Sequence, residues 1–245
     1  MATSISMTAP EWVGQADGPW LELAIDRRRN VADQIFRALR DAILELRLPP
    51  CTLVSENMIC RQAGVSRTPV RNAVVRLVEE ELLDVFPQQG TYVAPIKIAK
   101  VHDGHFIRRA LEVAILEKAA SAWTAAASAE AHAVLAEHEA LGSHGDVQDF
   151  MRFDVMFHQC FARAAGTEGV WRPIQHAKAH LDRLHRLGFP QNDRMKAVAA
   201  EHRAILEAFE AKDLALARRR LIEHLDVIIE MLDGLRRQHP GYFAD

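Results

Sequence analysis

The 245-residue sequence predicts a mainly α chain in two parts: a small helical head carrying a β-hairpin, then an all-α antiparallel helical bundle. Three observations lead there. A long helix, a short helix, a glycine-containing turn and an arginine-faced helix follow one another near the N-terminus. Two short β-prone runs come next, at 82–85 and 91–93, around Pro87-Gln88-Gln89-Gly90. From Val101 to Leu235 the periodic segments are helical and no alternating strand pattern occurs.

Composition narrows the class. With 49% hydrophobic and 26% charged residues the chain has the make-up of a soluble globular protein, and no apolar run approaches the roughly 18–20 residues of a membrane span. The opening MATSISMTAPEWVGQADGPW lacks the basic and apolar regions of a signal peptide. Cys51, Cys60 and Cys160 are far apart and odd in number, so they form no disulfide framework, and a reducing cytoplasm fits. The net charge of −3 conceals an asymmetry: residues 1–26 carry four acids and no Lys or Arg, whereas residues 27–97 carry 11 Lys and Arg against 8 Asp and Glu. A basic head on an acidic chain points to nucleic acid.

Taken in order, residues 1–26 mix Thr, Ser, Gly and Pro without periodicity and are expected to form a flexible tail. The head spans 27–97. Arg27, Arg28 and Arg29 lead into a helix with Val31, Ile35, Leu39, Ala42 and Leu46 on its inner face, ending before Pro49-Pro50. Ser55 caps a short second helix, and Ala63-Gly64-Val65 makes the turn into SRTPVRNAVVR, residues 66–76. Ser66 suits an N-cap and Pro69 falls in the first turn, where a missing N–H costs little. Val70, Ala73, Val74 and Leu77 give this helix one apolar face. Arg67 and Arg71, four apart, share another face, with Asn72 beside Arg71. Arginine reads guanine edges and binds phosphates, so double-stranded DNA suits this surface, the alternative being a solvated helix with two surface arginines. The hairpin tip reaches for the DNA backbone or minor groove, which makes the head a winged helix-turn-helix. Gly90 supplies either a φ > 0 turn or close approach to DNA. One reading helix covers half a site, so a homodimer on a palindromic operator is expected, with no membrane partner.

The residues Ile43 through Leu53, Gly64-Val65-Ser66-Arg67-Thr68-Pro69-Val70-Arg71, Leu77 and Gly90-Thr91-Tyr92-Val93 resemble the DNA-binding domain of the GntR superfamily of bacterial transcription regulators. The resemblance implies that Ser66, Arg67, Thr68 and Arg71 meet base edges and phosphates, and that Gln89 and Gly90 lie in the minor groove. Four positions depart from the family pattern: Cys51 and Glu81 stand where glycine is usual, Asn72 where glutamate is, and Gln89 where arginine is.

A short linker at 94–100 leads to the second domain, 98–237, with helices expected at 101–125, 129–141, 146–165, 168–187, 194–211 and 213–236, and a C-terminal tail at 238–245. Three of these helices have interrupted apolar stripes. Asp154 sits among Phe150, Phe157 and Phe161, with His158 one turn on; His202 lies among Val198, Ile205 and Phe209; His224 lies between Leu221 and Leu225. Burying such groups unpaired costs several kcal/mol, on the order of 5 for an ionised carboxylate, and convergence on one cation resolves the cost. Asp-x3-His puts two ligands on one helix face, and two more imidazoles arrive from facing helices. Three nitrogens and a carboxylate oxygen suit Zn²⁺, with Ni²⁺, Mn²⁺ or Fe²⁺ as alternatives. His176 and His180, four apart, are a rival pair.

These residues carry a second resemblance. Arg108-x-x-Leu111-Glu112, Asp154-x3-His158, Glu201-His202, Ala208, Asp213, Ala217 and His224-Leu225 are similar to the FCD ligand-binding domain of the FadR-type GntR branch. It implies a divalent metal on Asp154, His158, His202 and His224. It also implies a small carboxylate effector docked on the metal with help from Arg108, and a pocket lined at Thr167, where the family usually has asparagine. Arg108 pairing with Glu112 at the surface is the alternative. Arg183, in a helix rich in His and Arg, leans towards an organic acid such as a sugar acid as effector. The sequence carries no nucleophile elbow, phosphate loop or H-E-x-x-H, so no enzyme is expected. Two other readings stay open: a metal-sensing repressor, and a metal-dependent hydrolase with an accessory DNA-binding domain.

Overall fold

A computed structural model describes residues 24–190 and 193–244. The tail read at residues 1–26 falls almost wholly outside them. The chain is mainly α: a winged helix followed by a helical domain, and it divides into two compact units, one running to Lys97 and regaining the chain from Pro240 onward, the other Ile98–His239.

In the first unit α1 (Val31–Leu44) starts at Asn30, whose side chain accepts from the Asp33 N–H at 3.2 Å. Its buried face is Ile35, Phe36, Leu39, Ala42 and Ile43. Helix α2 (Glu56–Ala63) is capped by Ser55, whose hydroxyl accepts from the Met58 N–H at 3.3 Å. Helix α3 (Arg67–Glu79) lays Val70, Ala73, Val74 and Leu77 against α1. Strands β1 (Leu83–Phe86) and β2 (Gly90–Val93) pair antiparallel, with Leu83 opposite Val93 and Phe86 opposite Gly90.

The stretch 94–100 is not a linker. Ile96–Lys97 forms β3, and α4 begins at Ile98. The C-terminal residues differ from the expected tail as well. After a 3-10 turn at Pro240–Tyr242, Phe243–Ala244 forms β4 and pairs in parallel with β3.

The second unit holds α4 (Ile98–Ala119), α5 (Ala125–His144), α6 (Val147–Ala164), α7 (Glu168–Ala177), α8 (Ala179–Gly188), α9 (Arg194–Glu210) and α10 (Leu214–Gln238). Helix α10 packs on α9, α5 on α6 and α9, and α4 on α6, α7, α8 and α10. Phe157, Phe161, Phe209 and Trp123 interlock edge-to-face and stacked at the centre. Each fully buried phenylalanine contributes roughly 1.5–3 kcal/mol of transfer free energy.

The single helix expected at 168–187 is broken at Lys178 into α7 and α8. The break meets α4 at Gly104: a Cβ there would lie 2.5 Å from the Ala177 carbonyl oxygen and 3.3 Å from the Lys178 Cα. Only a residue without a side chain lets the α7–α8 corner lie on α4. The helix expected at 101–125 ends earlier, at Ala119, and Thr124 caps α5 through its hydroxyl.

Candidate nucleic-acid interface and metal centre

On α3 the side chains of Ser66, Arg67, Thr68, Arg71 and Asn72 are exposed, opposite the buried apolar face. Among the described residues neither Arg67 nor Arg71 makes an ion pair. Arg76, on the same helix, is held in place: its Nη1 lies 2.5 Å from Asp33 Oδ1 and its guanidinium 3.8 Å over the Phe36 ring. Ser66 occupies the N-cap position, but its hydroxyl makes no cap bond. At the hairpin tip Pro87, Gln88 and Gln89 are exposed. Gly90 has φ +134°, and a Cβ there would sit 2.9 Å from Leu53 Cδ1. Its backbone conformation therefore favours glycine on its own account, and a Cβ would also displace the Leu53 methyl. Cys51 (φ 64°) and Glu81 (φ 56°) both adopt the left-handed conformation that favours glycine.

In the helical unit Asp154 and His158 come from α6, His202 from α9 and His224 from α10. All four are buried, and one ligand atom from each lies within 4.8 Å of the others. His202 Nε2 is 3.2 Å from His224 Nε2 and 3.6 Å from Asp154 Oδ1. The rear nitrogens of the three imidazoles are engaged. His158 Nδ1 is 2.7 Å from Glu112 Oε2, His224 Nδ1 is 2.8 Å from Glu201 Oε2, and His202 Nδ1 is 3.2 Å from His138 Nδ1. Glu201 is fixed in turn by a two-pronged contact with Arg194, at 2.5 and 2.9 Å. A carboxylate behind an imidazole holds the proton on Nδ1 and turns the Nε2 lone pair inward, as metal-ligating histidines require.

Arg108 and Glu112 complete the wall from α4. Arg108 Nε donates to Glu112 Oε1 at 2.6 Å, and its Nη2 lies 3.0 Å from His158 Nε2. The pair is buried, not the surface bridge considered as Arg108's alternative role. Burial alone would raise the Glu112 carboxyl, but Arg108 and His158 outweigh it and hold the group down at about 2. Burial also opposes charge on Asp154, yet His158 and Arg108 keep its carboxyl well below the usual range. Burial pushes His202 and His224 below the ordinary imidazole value and so favours their neutral forms.

The cluster fits a divalent cation. Among the described residues Asp154 Oδ1 is buried without a hydrogen-bond partner, and three imidazoles gather beside it. Three nitrogens and one carboxylate oxygen are the donor set of Zn²⁺, which leaves positions open to a further ligand when an ion takes more than four. A cavity of about 240 Å³ between α9 and α10, lined by Glu201, Ala204, Arg220, Glu223, His224 and Val227, opens beside this cluster.

Residues 104–227 match the FCD domain family, and residues 31–93 match the family of bacterial regulatory proteins, gntR family. The chain belongs to the GntR family. It is 35% identical over 217 residues to an HTH-type transcriptional regulator in an unstable DNA locus of Streptomyces ambofaciens, covering 89% of this chain and 91% of that one. It is 30% identical over 225 residues to the HTH-type transcriptional repressor RspR of Escherichia coli K12, covering 92% and 99%. In fold it is similar to the solved structure of E. coli McbR/YncC, with a TM-score of 0.70 at 22% identity over 85% of this chain and 98% of that one. The protein is thus a DNA-binding transcription regulator and not an enzyme, and among its described residues no helix is long and apolar enough to cross a membrane.

The remaining residues of this GntR regulator fall as follows. Thr167 stands at the start of α7 with its hydroxyl donating to the Ala162 carbonyl at 3.2 Å, so that oxygen closes the α6–α7 turn. Arg183 is fully buried on α8. His176 is exposed on α7 and His180 buried on α8, so the break at Lys178 removes the shared helix face on which the rival metal pair depended. His138 on α5 was not singled out in the sequence, although it is fully buried and stacks at 4.0 Å on Phe150.

Proposed function

We propose that this regulator is a repressor that binds a double-stranded operator as a homodimer, and that a small carboxylate bound beside a divalent metal changes its operator affinity. Ser66, Arg67, Thr68 and Arg71 on α3 would meet bases and phosphates, with Gln89 and Gly90 at the minor groove. Asp154, His158, His202 and His224 would hold the metal, Zn²⁺ first among the candidates, which supplies coordination sites to an acid. Arg108, against His158 on the inner wall, would take the effector's second carboxylate oxygen. Roles for Thr167 and Arg183 in effector binding belong to the same reading. Glu112, Glu201 and His138 orient the imidazoles. The observation that carries the proposal is the buried Asp and three His converging beside Arg108 in a chain of a DNA-binding family.

The coupling requires that the effector bind the DNA-competent and DNA-incompetent states with different affinities. The test has two arms. His202→Ala and His224→Ala should each deplete metal, read by elemental analysis, and abolish the effect of small carboxylates on operator binding. Full metal content in both variants would move the site elsewhere. Operator affinity unchanged at saturating carboxylate would reject the effector mechanism. The contact between Arg108 and the His158 lone pair favours one second reading, in which metal binding displaces Arg108 and the ion itself is the signal. Zn²⁺ alone altering operator affinity would distinguish that case.

A further inference from the structure

The buried side chains of α3, Val70, Ala73, Val74 and Leu77, fix which way the helix faces. At about 100° per residue, the direction opposite them falls within roughly 30° of Thr68, Asn72, Val75 and Glu79. All four are exposed and form a ridge that points straight out of the head. Arg67 and Arg71 lie on one flank of this ridge, about 110° and 70° from its centre. Arg76 lies on the other flank, tied to Asp33 and Phe36. The middle of the ridge is therefore an amide and a hydrophobe. Among the described residues the Asn72 side chain makes no hydrogen bond or ion pair. Val75 is 50% exposed. A β-branched side chain in that position gains little from packing and forms helix less well than alanine or leucine, so neither the core nor the helix selects it. Glu79 closes the ridge at its C-terminal end, where an acid repels phosphates, which leaves the turns carrying Thr68, Asn72 and Val75 to meet DNA.

We infer that Asn72 and Val75 set the operator sequence, Asn72 by reading an adenine and Val75 by packing on the methyl group of a thymine. The choice of bases follows from their chemistry. An asparagine amide offers a donor and an acceptor side by side, matching the N6 donor and N7 acceptor that adenine presents in the major groove, and only thymine presents a methyl group there. The two residues are about 4.5 Å apart along the helix, close to the rise of about 3.4 Å between stacked bases, so they fall on the same base pair or on neighbours. The inference rests on the operator-binding part of the proposed function and adds two positions to Ser66, Arg67, Thr68 and Arg71. The arginines hold the duplex from the flank, and the ridge between them and Arg76 discriminates the sequence.

The test uses the full chain to select sites from a library of random duplexes, then measures affinity for the best site and for altered versions of it. The half-site should contain an A·T pair at which guanine in place of adenine weakens wild-type binding roughly 5- to 150-fold, and at which 7-deazaadenine, lacking the N7 acceptor, also weakens it. Asn72→Ala should lose the preference at this pair alone, and Asn72→Glu should move it to cytosine, whose N4 amine a carboxylate accepts. Uracil in place of the thymine deletes one methyl group and should weaken wild-type binding about 4-fold, whereas Val75→Ala should not respond to it. Both side chains are exposed, so circular dichroism of the variants should match wild type. Asn72→Ala selecting the wild-type half-site with every preference intact would overturn the adenine assignment, and a Val75→Ala protein as sensitive to uracil as wild type would overturn the thymine one. A wild-type chain that selects no site would reject operator binding itself.

Discussion

The Nδ1 atoms of His138 and His202 face each other across 3.2 Å, and two neutral imidazoles so placed hold one proton between them. With the proton on His202, its Nε2 lone pair turns towards His224 and Asp154, and His138 carries its own proton on Nε2. That Nε2 is buried with no partner among the described residues. With the proton on His138, His202 carries an Nε2–H into the cluster, facing Asp154 Oδ1 and the His224 nitrogen. The second arrangement suits the cluster alone and the first suits a metal. The position of that proton therefore decides which face His202 turns to the cluster.

His138→Leu keeps the contact with Phe150 and removes the acceptor behind His202. Metal affinity should fall about 10–100-fold, the usual cost of losing an outer-shell partner, with all four ligands retained. Competition with a chromophoric chelator measures it. Unchanged affinity would make His138 a packing residue only.

Acid should unfold the metal-free protein early. Burial holds His138 down to about 4 and His202 well below 6.5, whereas in the unfolded chain both titrate near their ordinary value. The unfolded state therefore binds more protons between these limits. Stability is fully present above pH 6.5 and is lost as pH falls towards about 4, with His138 alone contributing on the order of 3 kcal/mol. Urea midpoints measured from pH 7.5 to 4 should fall steadily across this window. His138→Phe should flatten part of the decline.

Glu81 sits at φ 56° with a half-exposed ion pair to Lys97 at 3.3 Å. A left-handed backbone costs a non-glycine residue roughly 1–2 kcal/mol, more than such an ion pair returns. Glu81→Gly should stabilise the first unit by about 1 kcal/mol, and Glu81→Val should destabilise it. Denaturant titration of the pair decides the sign.

Arg67→Ala and Arg71→Ala should each cost operator affinity about 1–3 kcal/mol if the side chain reads a base. If it binds phosphate, the loss should be similar on all sequences and the salt slope should drop by about one. Titrations at several salt concentrations separate the two cases. Wild-type affinity in either variant would remove that residue from the interface.

The winged head was legible because turn chemistry and apolar spacing agree there: Ser55 caps, Val70 to Leu77 face inward, and Phe86 and Gly90 bracket the turn. Cys51 and Glu81 stood out as misplaced, and both have the left-handed backbone that the missing glycines would have taken easily. The convergence of Asp154, His158, His202 and His224 could be read because each interrupts a strong apolar stripe. His138 could not. Its helix, AAASAEAHAVLAEHEALGSH, is so rich in alanine that no stripe exists to interrupt. The corner at Lys178 depends on a contact with Gly104, some seventy positions earlier, and local periodicity carries no trace of it. Two-residue strands such as Phe243–Ala244 are too short to show alternation.

His224 borders the open cavity between α9 and α10, beside Glu201 and Glu223. An ion held by the cluster would thus be enclosed by three ligands and within reach of solvent at the fourth. Its exchange would be governed by how often the His224 ring swings clear of Glu201, and so by time as much as by affinity. Two preparations of the same protein, one dialysed for an hour against chelator and one for a week, would then carry different histories into every binding assay.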